Sequence, residues 1–71
     1  MRVISKYHDY TDIPYEKCEI YLRAMGREIE VSSIGGNRRI ISIYETSEKA
    51  LEMLDKMTEA YARGDKIFIL E

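Results

Sequence analysis

Two arginines directly after a glycine pair are the residues of this chain best suited to chemistry. In the run Ser32-Ser33-Ile34-Gly35-Gly36-Asn37-Arg38-Arg39, hydroxyls precede the glycines and a double cation follows them. Backbone N–H groups are exposed at glycines, so the run holds the ingredients of an anion-binding nest with charge support. The candidate ligand-binding residues are Ser33, Gly35, Gly36, Asn37, Arg38 and Arg39. The run lacks the P-loop pattern, and no helix begins directly after it, so a helix-dipole contribution is missing. The competing reading is a hairpin loop whose arginines are simply solvated.

The remaining reactive side chains offer less. His8 is the only histidine and Cys18 the only cysteine. A Cys–His nucleophilic pair would need an accessible thiol, and the alternation around Cys18 turns it to the core, where cysteine behaves as a small hydrophobe. His8, Asp9 and Asp12 could offer metal ligands, but their spacing matches no recognised metal pattern. No Ser–His–Asp spacing and no dinucleotide fingerprint is present. The expectation is therefore a protein without catalytic residues, metal or cofactor. Six tyrosines in 71 residues is a high count. Tyr7, Tyr10 and Tyr15 fall near one N-terminal loop, where they could stack on a base or enter an interface, or serve as amphipathic filler.

Composition narrows the class. Seventy-one residues form one small domain, residues 1–71, near the size where a single core is only marginally sufficient. A net charge of -2 gives a field that does not favour polyanionic nucleic acid. One cysteine excludes an intramolecular disulfide framework and fits a reducing cytosol. No apolar run approaches the roughly 20 residues of a membrane span, and Met1 to Ser5 is too short and polar for a signal peptide. A cytoplasmic protein is expected.

These candidates must be positioned by a few short elements. Arg2 to Ser5 reads as a strand rich in β-branched residues. Pro14 confines the segment from Asp12 to Tyr15 to an edge strand or extended loop. Cys18 to Ala24 alternates, with Cys18, Ile20 and Leu22 on one face; Arg27 to Ser33 alternates again around Ile29 and Val31. A two-residue turn at Met25-Gly26 pairs Leu22 with Ile29, Ile20 with Val31 and Arg23 with Glu28. A three-residue loop at Gly35-Gly36-Asn37 would then pair Val31 with Ile41 and Ile29 with Ile43. Ser47 to Arg63 is the one confident helix. Thr46 or Ser47 caps it, Gly64 ends it, and an apolar stripe runs through Ala50, Leu54, Met57 and Tyr61 with Leu51 and Met53 beside it. Glu52–Lys56 and Glu59–Arg63 stand as i,i+4 pairs. Lys66 to Leu70 reads as a last strand buried on both faces. The fold class is α+β: an antiparallel meander of about four to five strands, one helix packed on one face, and a C-terminal strand.

A single helix covers one face of such a sheet. The same alternation leaves Tyr21, Ile34, Ile40 and Tyr44 on the other, more apolar than a solvated face needs. Either Ile13 and Tyr15 or the last strand fold over them, or they form an interface. A domain this small gains from self-association, so a homo-oligomer is expected.

The opening Met1-Arg2-Val3-Ile4-Ser5, the segment Asp12-Ile13-Pro14-Tyr15-Glu16 and the run Tyr44-Glu45-Thr46-Ser47-Glu48-Lys49-Ala50 resemble a group of small proteins from Gram-positive bacteria and their phages or prophages. The loop Lys6-Tyr7-His8-Asp9-Tyr10 departs from the group's Asp-Gly-type turn. The resemblance implies a context and no site residues: a small accessory protein of a mobile element. The expected function is non-enzymatic binding of a phosphate-bearing small molecule, for example a nucleotide signal of a host defence system. The alternative is an inhibitor or adaptor that meets a host protein through the open sheet face. Binding of double-stranded DNA is disfavoured by the acidic balance.

Overall fold

Two three-stranded sheets, one α-helix and one 3₁₀ turn make up the described residues. The computed structural model describes residues 1–7, 10–33 and 35–70; the expectations placed on His8, Asp9 and Ile34 lie outside the described residues. In chain order the elements are β1 (Arg2–Ser5), β2 (Thr11–Pro14), a 3₁₀ turn over Tyr15–Lys17, β3 (Cys18–Arg23), β4 (Glu28–Ser33), β5 (Arg38–Ile43), α1 (Ser47–Arg63) and β6 (Ile67–Leu70). The fold is α+β, with a meander and a C-terminal strand. The meander β3-β4-β5 is one sheet; the other has the order β2-β1-β6, with β6 parallel to β1.

The first hairpin follows the pattern of its side chains. Ile20 pairs with Val31, Leu22 with Ile29 and Arg23 with Glu28. The Arg27 N–H closes the turn on the Ala24 carbonyl at 3.3 Å. Ala24, Met25 and Gly26 all take positive φ, 55°, 60° and 85°, so the left-handed stretch begins one residue before the Met25-Gly26 centre. The ladder itself ends at Arg23–Glu28, with the expected register kept across the four residues of the turn.

The second hairpin departs from its expected register. Ser33 N–H donates to the Asn37 carbonyl at 3.0 Å, and Gly36, at φ 83°, donates to the Ser33 carbonyl at 2.9 Å. The loop therefore closes one residue earlier than the glycine–asparagine composition suggests, with the left-handed residue at Gly36 in its last position. Arg39 comes to lie opposite Val31, and Ile40 opposite Glu30. A bulge between Ile29 and Glu30 then takes up the extra residue, Ile41, and Ser42 lies opposite Ile29. Ile41 and Ser42 are consequently both buried, while Ile43 is turned out and 46% exposed. The expected rungs Ile29–Ile43 and Val31–Ile41 do not form.

The helix is capped at both ends. Thr46 Oγ1 accepts from the Lys49 N–H at 3.2 Å. At the other end Gly64 N–H donates to Tyr61 and Asp65 N–H to Ala60, each at 3.0 Å, so the last carbonyls are satisfied by a Schellman arrangement. Its buried stripe is Ala50, Met53, Met57 and Ala60. Tyr61 is half out of the core and stacks on Tyr15, centroids 4.8 Å apart. The outward charges pair as Lys49–Glu52 at 3.0 Å and Arg63–Asp65 at 2.9 Å instead of the i,i+4 pairs.

Between the helix and the two sheets lies one core of Val3, Ile29, Val31, Ile41, Met53, Met57 and Leu70, edged by Ile13, Tyr15, Tyr44 and Phe68. Ile13 and Tyr15 thus pack inward and do not fold over the outer face of the meander. β6 is not buried on both faces: Phe68 and Leu70 turn inward, but Ile67 is 47% and Ile69 56% exposed. The cause is position, since β6 is a sheet edge and the helix covers only its inner side. The sheets are tied where β1 ends: the buried Ser5 hydroxyl donates to the Ile41 carbonyl at the bulge and accepts from the Tyr7 N–H.

Candidate anion-binding site

The shifted register of the second hairpin builds the site. Val31 faces the core, so its partner Arg39 is set on the same, inner side of the meander, at the end of the sheet that α1 does not reach. The N-terminal end of β3 and the middle of β2 border the same space. The result is a cleft of about 250 Å³ lined by Ile13, Cys18, Val31, Ser33, Asn37, Arg38 and Arg39. Four of the six expected ligand residues meet there: Ser33, Asn37, Arg38 and Arg39.

The two glycines do not. Neither Gly35 nor Gly36 lines the cleft, and the Gly36 N–H is engaged by the Ser33 carbonyl. The glycines shape the turn; the side chains around it carry the polar groups.

Electrostatics favour an anion. Arg38 and Arg39 are both exposed, and neither forms an ion pair among the described residues. Of the other arginines, Arg2 pairs with Asp12, Arg23 lies 3.7 Å from Glu30 and Arg63 pairs with Asp65, while Arg27 is likewise exposed and in no ion pair among the described residues. Arg38 and Arg39 both border the cleft, but as strand neighbours they face opposite sides of β5; Arg39, on the inner side with Ser33, has a guanidinium that can fork onto the oxygens of a phosphate or carboxylate. The apolar Ile13 and Val31, the latter directly beside Arg39 across the strands, suit a ligand with a non-polar part.

Cys18 was not foreseen here. It is half-buried and lines the cleft, because it begins β3 opposite Ser33, beyond the reach of the helix. The alternation placed its face correctly, but a core-facing position at a strand end is a cleft position. No signal in the sequence marks where the helix stops covering the sheet.

The expected interface residues are partly brought together. Tyr21 and Ile40 flank Glu30 from either side in one row across the meander's outer face, all three half-buried. Tyr44 leaves that row and packs against the core, since the bulge reverses the alternation after Ile41. Ile43 is exposed in its place, opposite Glu28. Of the tyrosines near the N-terminus, Tyr15 stacks on Tyr61, whereas Tyr10 is 63% exposed.

No protein-family model, curated protein or solved structure matches the chain. Among the described residues no helix is long and apolar enough to cross a membrane, and no group of three or more His, Cys, Asp or Glu could hold a metal ion.

Proposed function

We propose that this chain is a small, non-enzymatic binding protein that holds a phosphate-bearing small molecule of the nucleotide class in the Arg38–Arg39 cleft. The observation that carries this reading is a single cleft lined by Arg38 and Arg39, neither in an ion pair among the described residues, together with Ser33, Asn37 and the apolar Ile13 and Val31. Arg39 grips the phosphate while Arg38 borders it, Asn37 and Ser33 add hydrogen bonds, and Ile13 and Val31 face the organic part. The cleft admits one phosphate with part of its attached group, and the chain acts as a homo-oligomer. The likeness to small phage and prophage proteins supports a cytoplasmic accessory role, sequestering such a signal.

With no Trp in the chain, a bound nucleotide raises the 260/280 nm absorbance ratio of the purified protein. Calorimetric titration with a panel of linear and cyclic nucleotides and inorganic pyrophosphate should find a ligand. Arg38→Ala and Arg39→Ala should each weaken it by about tenfold or more, the size of one charge-assisted contact. A ligand-free preparation that binds no member of the panel, or binding unmoved by both substitutions, rejects the reading.

A second reading is favoured by one feature of the outer face. Ile43, exposed beside the row Tyr21–Glu30–Ile40, gives that face an apolar centre with a charged border, the make-up of a protein-binding patch. A host protein captured by the wild type and lost with Ile43→Lys, while the Arg38 and Arg39 variants still capture it, would place function on that face.

A further inference from the structure

Strand edges in this fold are protected, with one exception. β2 carries Asp12 and Pro14; β3 carries Glu19 and Arg23; β5 carries two arginines and the bulge at Ile41. Charge, proline and bulges are the devices that keep an edge from pairing. β6 reads Ile-Phe-Ile-Leu and has none of them. Among the described residues, β1 is its only strand neighbour.

We propose that β6 pairs antiparallel with β6 of a second copy, joining the two β2-β1-β6 sheets into one continuous sheet about a twofold axis at Phe68. The homo-oligomer is part of the functional reading above; the surface is a separate claim that does not depend on the anion cleft.

Three observations fix the occupant and the register. Arg2 N–H donates to the Lys66 carbonyl at 2.9 Å, so residues 66, 68 and 70 aim their backbone groups at β1. The N–H and C=O of Ile67 and Ile69 are thereby left on the far edge. Residues directly opposite in an antiparallel pair share a face, so the outward isoleucines must meet each other. Centring the axis on Phe68 sets Ile67 against Ile69 of the second copy, and these two exchange both backbone bonds. Centring it on Ile67 would instead set Ile69 against Asp65, a charge against an apolar side chain. The two apolar side chains that this edge exposes, Ile67 and Ile69, thus find each other on a second copy of the same strand, so the edge is its own complement. The outward Ile67 and Ile69 of both copies then extend the apolar surface around Ile4, which is only 9% exposed in one copy.

The test is light scattering behind gel filtration, over a concentration series of the full chain. The expected mass is twice the 8.4 kDa of the chain. Ile69→Pro removes an N–H that points away from β1, so the β1–β6 ladder survives while the dimer's dissociation constant rises by about tenfold or more. Ile69→Lys does the same through a side chain already 56% exposed, and leaves the backbone intact should the proline variant fail to fold. In a Cys18→Ser background, oxidation of an equimolar mixture of Ile67→Cys and Ile69→Cys should give a covalent dimer, and neither variant alone should. Cross-linking by Ile69→Cys alone overturns the register. A dimer that both Ile69 variants leave intact overturns the β6 surface while the oligomer stands. A monomer at every concentration overturns both.

Discussion

A buried hydroxyl at Ser5 does more for this fold than its size suggests. The bulge in β5 pulls the Ile41 carbonyl out of the regular ladder, and a buried carbonyl without a partner is costly. Ser5 Oγ donates to it and in turn accepts from the Tyr7 N–H at 3.2 Å, so one side chain satisfies groups from two segments. Ser5 is 2% exposed, which means that water cannot take its place. Ser5→Ala is expected to lower unfolding free energy by about 1–3 kcal/mol, the cost of leaving a buried acceptor unsatisfied. Urea denaturation would show this as a lower midpoint at unchanged slope. A loss below about 0.5 kcal/mol would mean that the Ile41 carbonyl has another partner.

The tie from Ser5 to the bulge belongs to the part of the molecule that the sequence does not spell out. Alternation in β3 and β4 is clean, and the Met25-Gly26 turn leaves one register that pairs apolar with apolar, so Ile20–Val31 and Leu22–Ile29 are legible. The caps of α1 are legible too, because Thr46 and Gly64 each have a specific backbone bond to make. In β5 the pattern Arg-Arg-Ile-Ile-Ser-Ile admits two registers. Which one forms depends on the loop closure at Ser33 and Asn37 and on a tertiary partner at Ser5, neither of which is a local property. The same shift explains the mixed result at the site. Arg38, Arg39, Asn37 and Ser33 were recognisable by type, but Cys18, Ile13 and Val31 join them only through sheet packing. The turn between β3 and β4 carries its own prediction. Met25 holds φ 60° with a side chain 94% exposed, a left-handed conformation without packing in return. Asn tolerates that conformation, and Asn-Gly is the preferred pair for this turn. Met25→Asn should therefore raise stability by about 0.5–1 kcal/mol. Gly26→Ala should lower it by about 1–2 kcal/mol, because φ is 85° and the new Cβ would stand 3.1 Å from Ser47 Cβ. Thermal melts of the pair should move in opposite directions; a shift of the same sign in both would show that the turn strain is not what sets their stability.

For the molecule as a whole, acid is the condition that reaches its ion pairs together. The Asp12 carboxylate is held below the usual range, first by its hydrogen bond to the Arg2 guanidinium and then by the charge of that group. Glu52 is lowered by its bond to Lys49, with the charges of Lys49 and Lys56 adding to it. A carboxyl whose folded pKa lies below its unfolded value binds fewer protons folded than unfolded. Its contribution is complete above the unfolded pKa of about 4 and disappears as pH falls through the folded one. Stability should accordingly be flat from about pH 8 to 5 and decline below about pH 4.5. Both pairs lie at the surface, so the decline is shallow and is reduced by salt. The two pairs differ in what they join. Arg2–Asp12 clasps β1 to β2 across the sheet, whereas Lys49–Glu52 lies within one helix turn. Asp12→Asn should thus flatten the acid limb of a melting-temperature profile more than Glu52→Gln does, since it removes a link between strands as well as a local pair. Equal profiles for wild type and Asp12→Asn down to about pH 3 would show that the clasp contributes nothing to the folded state.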